Sequence, residues 1–293
     1  MSLSSSEYSY IGFPSRTAQI LKDYNISLKR SLGQNFLIDA NVLKKIARFS
    51  ILSENEVILE IGSGIGTLTE ILLQNVKGIV CVEIDKKLIK AFVDIFKGKI
   101  GKRIILVEKD AMKLNYYEIA NKYNIKKVVS NLPYKIAAPL ILKIMAEAPG
   151  INKMYLTIQK DIAERLLAKK GGKNYNSYSV KANLLADFRM LFHIPRNCFI
   201  PVPFVDSVLI EVTRDRKFGL VNVSELFKFL DSCFLHRRKK LINSIISSGN
   251  KHYIDKMDLV IKMLHGIGKD ERIRAEELSL EEFLVIFNSI KGV

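Results

Sequence analysis

The regular alternation of short apolar, β-branched runs with helical stretches is the feature that most restricts the fold of this chain. The first five runs are Val57–Ile61, Gly78–Glu83, Arg103–Val107, Lys127–Ser130 and Lys153–Ile158. The helical patterns between them are Gly66–Gln74, Lys86–Phe96, Tyr116–Tyr123 and Ala138–Ala146. Strands that alternate with helices predict a parallel sheet with helices on both faces. Two later runs, Phe188–Ile194 and Ser207–Thr213, predict an antiparallel pair and bring the sheet to roughly seven strands.

The pattern changes after Arg214, where strands give way to helices. The helical patterns there are Val223–Leu235, Arg237–Ser247, Asp255–His265 and Leu280–Ile290. Residues 1–34 are polar and predict a lead-in with one helix at most, and Asp39 is a candidate N-cap for the helix that follows. We therefore predict an N-terminal segment over 1–34, an α/β domain over 35–214 and a small all-α domain over 215–293.

The chain is strongly basic, with 46 Lys and Arg against 30 Asp and Glu, a formal net charge of +16. Such a chain attracts polyanions, which means nucleic acid, an anionic membrane surface or an acidic protein. Because 48% of the residues are hydrophobic, the chain is able to bury a core and is not disordered. No apolar run approaches the ~18 residues that a membrane span needs, and the N-terminus does not resemble a secretory signal.

Cysteine and histidine give no metal or disulfide signature. Cys81, Cys198 and Cys233 lie far apart, and the 4 histidines show no metal-ligand spacing. We therefore expect no metal and a reducing compartment. A bacterial cytoplasm is the simplest setting, and the polar start leaves an organelle open.

A glycine-rich turn follows the first strand, in the segment Glu60–Thr69 with the sequence EIGSGIGTLT. Glycines there let the backbone turn sharply and approach a ligand, and the next helix points its N-terminus at the same place. The second strand ends in Glu83, which is placed to accept the hydroxyls of a ribose. A dinucleotide-binding loop would need a glycine at position 67, which is Thr67. The spacing therefore favours the S-adenosylmethionine (SAM) loop of class I methyltransferases over a NAD site, and both remain open at this point.

Two further segments follow the carboxyl ends of strands, where open α/β sheets bind ligands. Asp110 comes just after the third strand and is placed to accept a hydrogen bond from an adenine amino group. Asn131-Leu132-Pro133-Tyr134 follows the fourth strand and matches the motif of methyltransferases that act on exocyclic nitrogens of nucleobases.

The tetrapeptide suits transfer of a methyl group to the N6 nitrogen of adenine. That nitrogen is a poor nucleophile because its lone pair is delocalised into the ring. The Asn131 side-chain oxygen and the Leu132 carbonyl, held by Pro133, would accept its hydrogens and favour a pyramidal nitrogen. Tyr134 offers an aromatic face to an unstacked base, and Phe199 is predicted to cover the other face.

These segments together resemble the family of small-subunit ribosomal RNA adenine dimethyltransferases of the KsgA type. The resemblance covers nearly everything from Leu28 to the C-terminus and includes Gly33–Leu37, Phe199–Ser207 and Arg237–Ser244. It implies a seven-stranded class I SAM-dependent methyltransferase (Rossmann-like) sheet with a small all-α C-terminal domain. It implies SAM as the cofactor, with contacts from Asn35, Leu37, Gly62, Gly64, Glu83, Ile84, Asp110, Ala111 and Asn131. The implied catalytic residues are Asn131, Leu132, Pro133, Tyr134 and Phe199.

The resemblance also implies a substrate. Members of the family dimethylate N6 of two adjacent adenines in the 3′-terminal hairpin loop of small-subunit (16S) ribosomal RNA and take part in small-subunit biogenesis. We expect a monomer whose partner is the small ribosomal subunit, with no membrane and no metal. The basic residues expected to bind RNA are Arg237, Arg238, Lys239, Lys240, Lys169 and Lys170.

Three alternatives stay open at this stage. A large-subunit ribosomal RNA methyltransferase of the antibiotic-resistance type shares the catalytic motifs, and Leu132 and the 237–244 run favour the small-subunit enzyme over it. A transcription or assembly factor on the same fold would not need the Glu83, Asp110 and Asn131 set. A NAD-dependent oxidoreductase would need a hydride-transfer site, and none is found in the sequence.

Overall fold

The computed structural model describes residues 10–28, 33–214 and 222–291. Contacts divide the chain into two units, each built from two segments. The sheet unit comprises Met1–Ala163 and Phe188–Arg214, and the helical unit comprises Glu164–Asp187 and Asp215–Val293. The sequence-based boundaries of 35–214 and 215–293 differ from this division by the segment 164–187, which groups with the C-terminal helices. The predicted boundary itself lies largely outside the described residues.

The strands and helices alternate through the sheet unit as the sequence predicts. Its strands are β1 (Phe36–Leu37), β2 (Val57–Ile61), β3 (Gly78–Glu83), β4 (Ile104–Glu108), β5 (Lys127–Asn131), β6 (Lys153–Gln159), β7 (Ala186–Ile194), β8 (Phe199–Ile200) and β9 (Ser207–Arg214). Its helices are α1 (Pro14–Asp23), α2 (Ala40–Phe49), α3 (Thr67–Leu72), α4 (Lys86–Ile95), α5 (Tyr116–Lys122) and α6 (Ala137–Glu147), and the chain passes to the other unit within α7 (Lys160–Leu166). Asp39 caps α2, as predicted, through hydrogen bonds from the backbone N–H groups of Asn41 and Val42.

The main sheet has 7 strands in the order β4-β3-β2-β5-β6-β9-β7. Strands β2 to β6 pair in parallel, and β9 lies antiparallel to β6. The central strands are fully covered; all six residues of β3 are buried. This confirms the predicted α/β class, because a parallel sheet needs helices on both of its faces. A separate pair forms where β1 meets β8, with Leu37 opposite Phe199.

The strand order reverses between β2 and β5, which are neighbours in the sheet. Their register contains the pair Leu59 and Val128. Beyond it, the Ser130 hydroxyl replaces the backbone ladder: it donates to the Ile61 carbonyl (2.6 Å) and accepts from the Ile61 N–H (3.3 Å). Such a reversal point opens a crevice outside the carboxyl ends of the strands, where α/β sheets bind ligands.

The helical unit has its own apolar core. It contains α8 (Ser177–Leu185), α9 (Val223–Phe234), α10 (Leu241–Ser247), α11 (Lys251–Ile254), α12 (Met257–Gly266) and α13 (Leu280–Lys291). Tyr175, Val180 and Leu184 belong to this core, which explains why 164–187 groups with the C-terminal helices. The predicted helix over Arg237–Ser247 is wrong at its start, because residues 235–239 form a turn and bend and α10 begins at Leu241.

Candidate active site

A cavity of about 270 Å³ lies at the carboxyl ends of the sheet unit's parallel strands. Residues from the turns after β2, β3, β4 and β5 line it, together with the segment before and within β1. Of the residues that the sequence assigns to the cofactor, the cavity is lined by Asn35, Gly62, Gly64, Glu83, Ile84, Asp110, Ala111 and Asn131. Leu37 is not among the lining residues; it is buried in β1, opposite Phe199 of β8, and its neighbour Phe36 lines the cavity.

The glycine turn and the tetrapeptide touch each other across this cavity. Gly62 has a φ of +72°, and a Cβ at its position would lie 2.9 Å from Cγ of Pro133. Only glycine fits both the left-handed conformation and the close approach. The Gly62 N–H donates to the Val82 carbonyl at 2.8 Å, which ties the turn to the end of β3. The two motifs that the sequence singled out separately therefore form one wall.

Glu83 sits at the end of β3 inside a ring of backbone donors. Its Oε2 accepts from the Gly64 N–H at 2.9 Å, and its Oε1 accepts from the N–H groups of Ile84 (2.8 Å) and Asp85 (3.0 Å). Burial raises the pKa of Glu83, and these backbone N–H bonds act in the opposite direction. The three bonds hold the carboxylate rigidly: Oε1 accepts two of them, and Oε2, which accepts only one, keeps further acceptor capacity.

Glu60, near the end of β2, also lines the cavity, although no separate role was predicted for it. The side chain is buried, and its Oε2 accepts from the Thr69 hydroxyl at 2.6 Å. Burial raises the pKa of Glu60 to about 8, while the Thr69 hydrogen bond lowers it. This environment favours the protonated, neutral form of Glu60.

The pKa of Glu60 makes stability depend on pH in a direction that is testable. Between its ordinary value of 4.5 and about 8, the folded protein keeps a proton on Glu60 that the unfolded chain releases. The contribution of this proton to the free energy of unfolding is present at low pH and is lost as pH rises through that window. Glu60→Gln, neutral at every pH, should therefore show a shallower fall of Tm between roughly pH 5 and pH 9 than the wild type. Equal slopes in thermal unfolding of the two ligand-free proteins would contradict the assignment.

The Asn131 side chain is oriented by the segment before β1. Its Nδ2 donates to the Asn35 carbonyl at 2.9 Å, and its Oδ1 is buried without a hydrogen-bond partner. Turning the amide over would place two acceptor oxygens against each other, so the Asn35 carbonyl fixes which end of the amide is free. Buried acceptors are nearly always paired, and an orphaned one at a cavity wall marks the place of a ligand donor.

Tyr134 lies just behind the wall that Leu132 and Pro133 form. Its hydroxyl is hydrogen-bonded to the Ser207 hydroxyl at 2.6 Å, and burial raises the pKa of Tyr134 to about 12, with the Ser207 bond lowering it. Phe199 is fully buried, and its ring centroid lies 6.3 Å from that of Tyr134 at an interplanar angle of 66°. The predicted covering of a base by Phe199 and Tyr134 on opposite faces needs parallel, more widely separated rings. The observed edge-on contact does not offer that arrangement.

The N-terminal segment contributes more to the cavity than the sequence indicated. Gln34 and Phe36 line it, and Gln34 Nε2 donates to Oδ2 of Asp85 at 3.1 Å. Lys87 Nζ holds the same segment further back through the Asn25 carbonyl at 2.8 Å. These contacts join residues more than fifty positions apart, so local sequence patterns carry no signal for them. Lys109 and Lys135 add two exposed cations to the cavity lining.

The residues predicted to bind RNA fall into two groups in the helical unit. Arg237 Nε donates to Oε2 of Glu276 at 2.6 Å and its Nη2 donates to the Gly172 carbonyl at 3.2 Å. Lys170 Nζ pairs with Oε2 of Glu282 at 2.7 Å. Both cations therefore form ion pairs within the helical unit. Five of the six predicted residues are exposed on the surface and remain candidates for phosphate contacts: Lys169, Lys170, Arg238, Lys239 and Lys240.

Alanine substitutions of the two adjacent arginines should therefore differ in their effects on stability and on RNA binding. Arg237→Ala loses an ion pair and a carbonyl bond and should lower the free energy of unfolding by about 1–2 kcal/mol. Arg238→Ala should leave stability within about 0.5 kcal/mol but weaken RNA binding and reduce its salt dependence. Thermal unfolding and RNA filter binding at several salt concentrations measure both effects. Equal losses of RNA affinity in the two variants, with stability unchanged, would show that Arg237 contacts RNA.

The described part of the chain contains neither a membrane-spanning helix nor a metal-binding cluster. Within 10–28, 33–214 and 222–291, no helix combines the length and the apolar character that crossing a membrane requires. The same residues contain no group of three or more His, Cys, Asp or Glu side chains arranged to hold a metal ion.

The sheet order and the position of the cavity define the class of the protein. An open parallel sheet that carries one antiparallel strand beside its edge, with a glycine turn and an acidic strand end at its reversal point, is the architecture of class I methyltransferases. Solved structures support this assignment. A dimethyladenosine transferase from Plasmodium falciparum matches 86% of this chain and 97% of its own length with a TM-score of 0.72 at 25% identity. The 23S rRNA methyltransferase ErmE has the same fold, with a TM-score of 0.60, 21% identity and coverage of 88% and 100%.

Sequence comparisons identify the family. The profile of the ribosomal RNA adenine dimethylase family matches residues 25–291. Two curated relatives are both named ribosomal RNA small subunit methyltransferase A: one from Natranaerobius thermophilus is 34% identical over 94% of this chain and 96% of its own, and one from a Geobacillus species is 35% identical over 97% and 98%. The chain therefore belongs to the ribosomal RNA adenine dimethylase family, and it is a methyltransferase of ribosomal RNA.

SAM is the methyl donor of this class, and the residues present fit it. The rigidly held Glu83 carboxylate suits a ribose diol, and Asp110, whose Oδ1 accepts from the Met112 N–H at 2.9 Å, lies further along the same wall. Asn131, whose Oδ1 is buried without a partner, lines the cavity together with Leu132 and Pro133 of the tetrapeptide. The cavity thus offers acceptors to the hydroxyl and amino groups of the cofactor and, separately, to a target base.

Proposed function

We propose that this protein dimethylates N6 of two adjacent adenines in the 3′-terminal hairpin loop of small-subunit (16S) ribosomal RNA and acts in small-subunit biogenesis. The observation that carries the proposal is the buried Asn131 Oδ1, unpaired and fixed in orientation beside the glycine turn. The near full-length similarity to relatives named small subunit methyltransferase A supports the choice of RNA.

We infer the following roles at the cofactor end. SAM supplies an electrophilic methyl group when it is bound. Glu83 binds the ribose hydroxyls, and Asp110 accepts from the adenine amino group of the cofactor. Gly62 allows the backbone to pass close to the cofactor, and Asn35 and Phe36 cover it from the N-terminal side. Leu37 supports this cover through β1 rather than by contact.

The target adenine is recognised by the tetrapeptide. Asn131 Oδ1 accepts one N6 hydrogen, and the Leu132 carbonyl accepts the other in the geometry that Pro133 fixes. These bonds favour a pyramidal nitrogen whose lone pair points at the methyl group, so positioning and electrostatics carry most of the rate. After transfer, the N6 proton leaves to solvent. Tyr134 contacts the base through its ring while Ser207 holds its hydroxyl, and Phe199 supports the Tyr134 ring from the edge.

In this proposal, the net charge of +16 attracts the polyanionic RNA. Lys109 and Lys135 at the cavity, and Arg238 to Lys240 in the helical unit, attract and hold the phosphate backbone. Phosphate contacts position the RNA, and the tetrapeptide selects an unstacked base. The affinity for ribosomal RNA should then fall steeply with salt through counterion release, while the affinity for SAM changes little.

Methyl transfer to defined substrates tests the proposal directly. The protein is incubated with labelled SAM and one of three acceptors: small subunits from a strain that lacks this methylation, large-subunit RNA, or DNA. Dimethyladenosine in the small-subunit hairpin is the expected product. Label only in large-subunit RNA would assign the chain to the antibiotic-resistance type of enzyme, and no label in any acceptor would favour an assembly factor.

We further propose that the protein works as a monomer in the cytoplasm, where small subunits are assembled. Sedimentation of the purified protein with and without RNA measures the oligomeric state.

A further inference from the structure

The loop between β8 and β9 carries a strongly exposed apolar tip that the site described above does not use. The exposed fraction is 60% for Val202, 85% for Phe204 and 38% for Val205. Single exposed apolar residues are ordinary on protein surfaces, but three within four positions form a patch, and a phenylalanine exposed to this degree is costly to solvate. The patch needs a physical explanation.

Both ends of this loop are fixed on Tyr134. At one end the ring of Phe199 contacts the Tyr134 ring, and at the other end the Ser207 hydroxyl bonds the Tyr134 hydroxyl at 2.6 Å. Phe204 lies three residues before Ser207, so its Cα is within roughly 11 Å of the Cα of Ser207. The exposed residue is therefore within reach of a nucleotide adjacent to a base held at Tyr134.

The frame of the loop is also held by Asp206. Its Oδ1 accepts from the Arg196 N–H at 3.0 Å, and its backbone carbonyl accepts from the Lys160 N–H at 3.0 Å. The loop is thus tied to the start of α7 as well as to the tetrapeptide. Because the loop is anchored at both ends, its exposed apolar residues can bind a flat ligand with little loss of conformational entropy.

The charges around the patch fit a polyanionic ligand. Lys135 directly follows Tyr134 and is exposed, and Lys160 and Arg196 are exposed at the two points where Asp206 ties the loop. The carboxylates of Asp161 and Asp206 are close in sequence to Lys160 and to the patch, so the net charge of these five side chains is small and positive. Cations around an exposed aromatic ring are the combination that binds single-stranded nucleic acid.

A target adenine reaches the cavity only by leaving its stack, which also deprives the neighbouring base of a stacking partner. We propose that Phe204, with Val202 and Val205 beside it, is a stacking platform for the unpaired nucleotide next to the adenine held at Tyr134. This inference rests on the proposed function, because it takes the ligand of the site to be RNA. The platform binds the neighbour's ring face, tolerates any base and lets the phosphates between the two nucleotides lie near Lys135 and Lys160.

The chain contains no tryptophan, so a single tryptophan at this position reports on it alone. Phe204→Trp should emit as a solvent-exposed indole in the free protein. On addition of protein-free small-subunit ribosomal RNA, its emission should be quenched by stacking and its accessibility to acrylamide should fall. The matched control is Phe49→Trp at the end of α2, near Ile51, whose carbonyl is bonded to Lys127 at the amino end of β5. Its emission and accessibility should not change.

Three outcomes overturn the platform. The first is unchanged emission and acrylamide access of Phe204→Trp while filter binding shows that the RNA is bound. The second is failure of protein-free RNA to bind at all. The third is shielding by intact small subunits but not by protein-free RNA, which would assign the patch to a ribosomal protein.

Steady-state kinetics separates this inference from the proposed function. Phe204→Ala should raise the KM for ribosomal RNA about 10-fold with little change in kcat, and Phe204→Tyr should restore it, because every aromatic ring stacks. The KM for SAM should stay unchanged in both. If the wild type transfers no methyl group to unmethylated small subunits, the proposed function fails; if it does and Phe204→Ala keeps the wild-type KM for them, only the platform fails.

Discussion

Asn131→Ala should abolish methyl transfer while leaving SAM binding nearly intact. The variant removes the acceptor oxygen that the Asn35 carbonyl keeps free for the N6 hydrogen. Loss of a single preorganised group that acts on the transition state typically costs 10²–10³-fold in kcat, and we expect a loss of at least about that size. The cofactor keeps its contacts to Glu83, Asp110 and the glycine turn, so its affinity should fall by no more than about 5-fold, the equivalent of one hydrogen bond.

Single-turnover transfer to unmethylated small subunits gives the rate, and equilibrium binding of SAM gives the affinity. Asn131→Asp is the matched control. Its carboxylate keeps an acceptor at the same position but loses the donor to the Asn35 carbonyl, so it should retain more activity than the alanine variant. Near wild-type transfer by Asn131→Ala would refute the acceptor role, and a parallel loss of SAM affinity would move Asn131 from the target base to the cofactor.

Gly66→Ala should be the most destabilising single change in the glycine turn. Gly66 precedes α3 with a φ of +93°, and a Cβ there would lie 2.2 Å from Cε2 of Phe96 and 3.2 Å from Cε2 of Phe92. The two rings pack on each other with centroids 4.7 Å apart and are both buried, so neither has room to move aside. Left-handed strain of about 1–2 kcal/mol and overpacking of about 1–3 kcal/mol should together lower the free energy of unfolding by about 3 kcal/mol.

Gly101→Ala separates the effect of left-handed backbone strain from that of overpacking. Gly101 has a φ of +76°, and nothing lies within 4 Å of the Cβ that alanine would add. This variant should lose about 1 kcal/mol, the strain alone. Urea unfolding of the two variants and the wild type measures the difference. Equal losses would mean that the Phe92–Phe96 pair adapts and that overpacking does not limit the turn.

The strands of the sheet unit were predictable because β-branched runs identify them locally. The central runs match β2, β3, β5 and β6 to within one residue at each end, which reflects strands buried on both faces. The segment 160–185 was not predicted to be helical. α8 buries Ser179, Val180, Ala182, Leu184 and Leu185, so its apolar residues do not form the single stripe that marks an amphipathic helix.

The candidate site was predictable where each residue belongs to a short motif at a strand end. Glu83, Asp110 and Asn131 were found in this way, and the structure brings them to one cavity. Contacts between distant parts of the chain had no local signal. The pairing of Arg237 with Glu276 and the edge-on contact of Phe199 with Tyr134 both depend on the finished fold. Charge and aromaticity in a sequence therefore indicated a class of ligand, while the identity of the contacting side chains required the structure.

The two units are interleaved along the chain, and this has a consequence for synthesis and for dissection. The polypeptide leaves the sheet unit after Ala163, returns at Phe188 and leaves it again after Arg214. During translation, β7 and β9 are synthesised only after the first segment of the helical unit, 164–187. Tyr175, Val180 and Leu184 in that segment stay exposed until the C-terminal helices that cover them have been synthesised. A fragment that stops at residue 214 would carry the same uncovered side chains permanently. Expression of the methyltransferase sheet alone would therefore need 164–187 to be replaced by a short polar linker as well as the C-terminus to be removed.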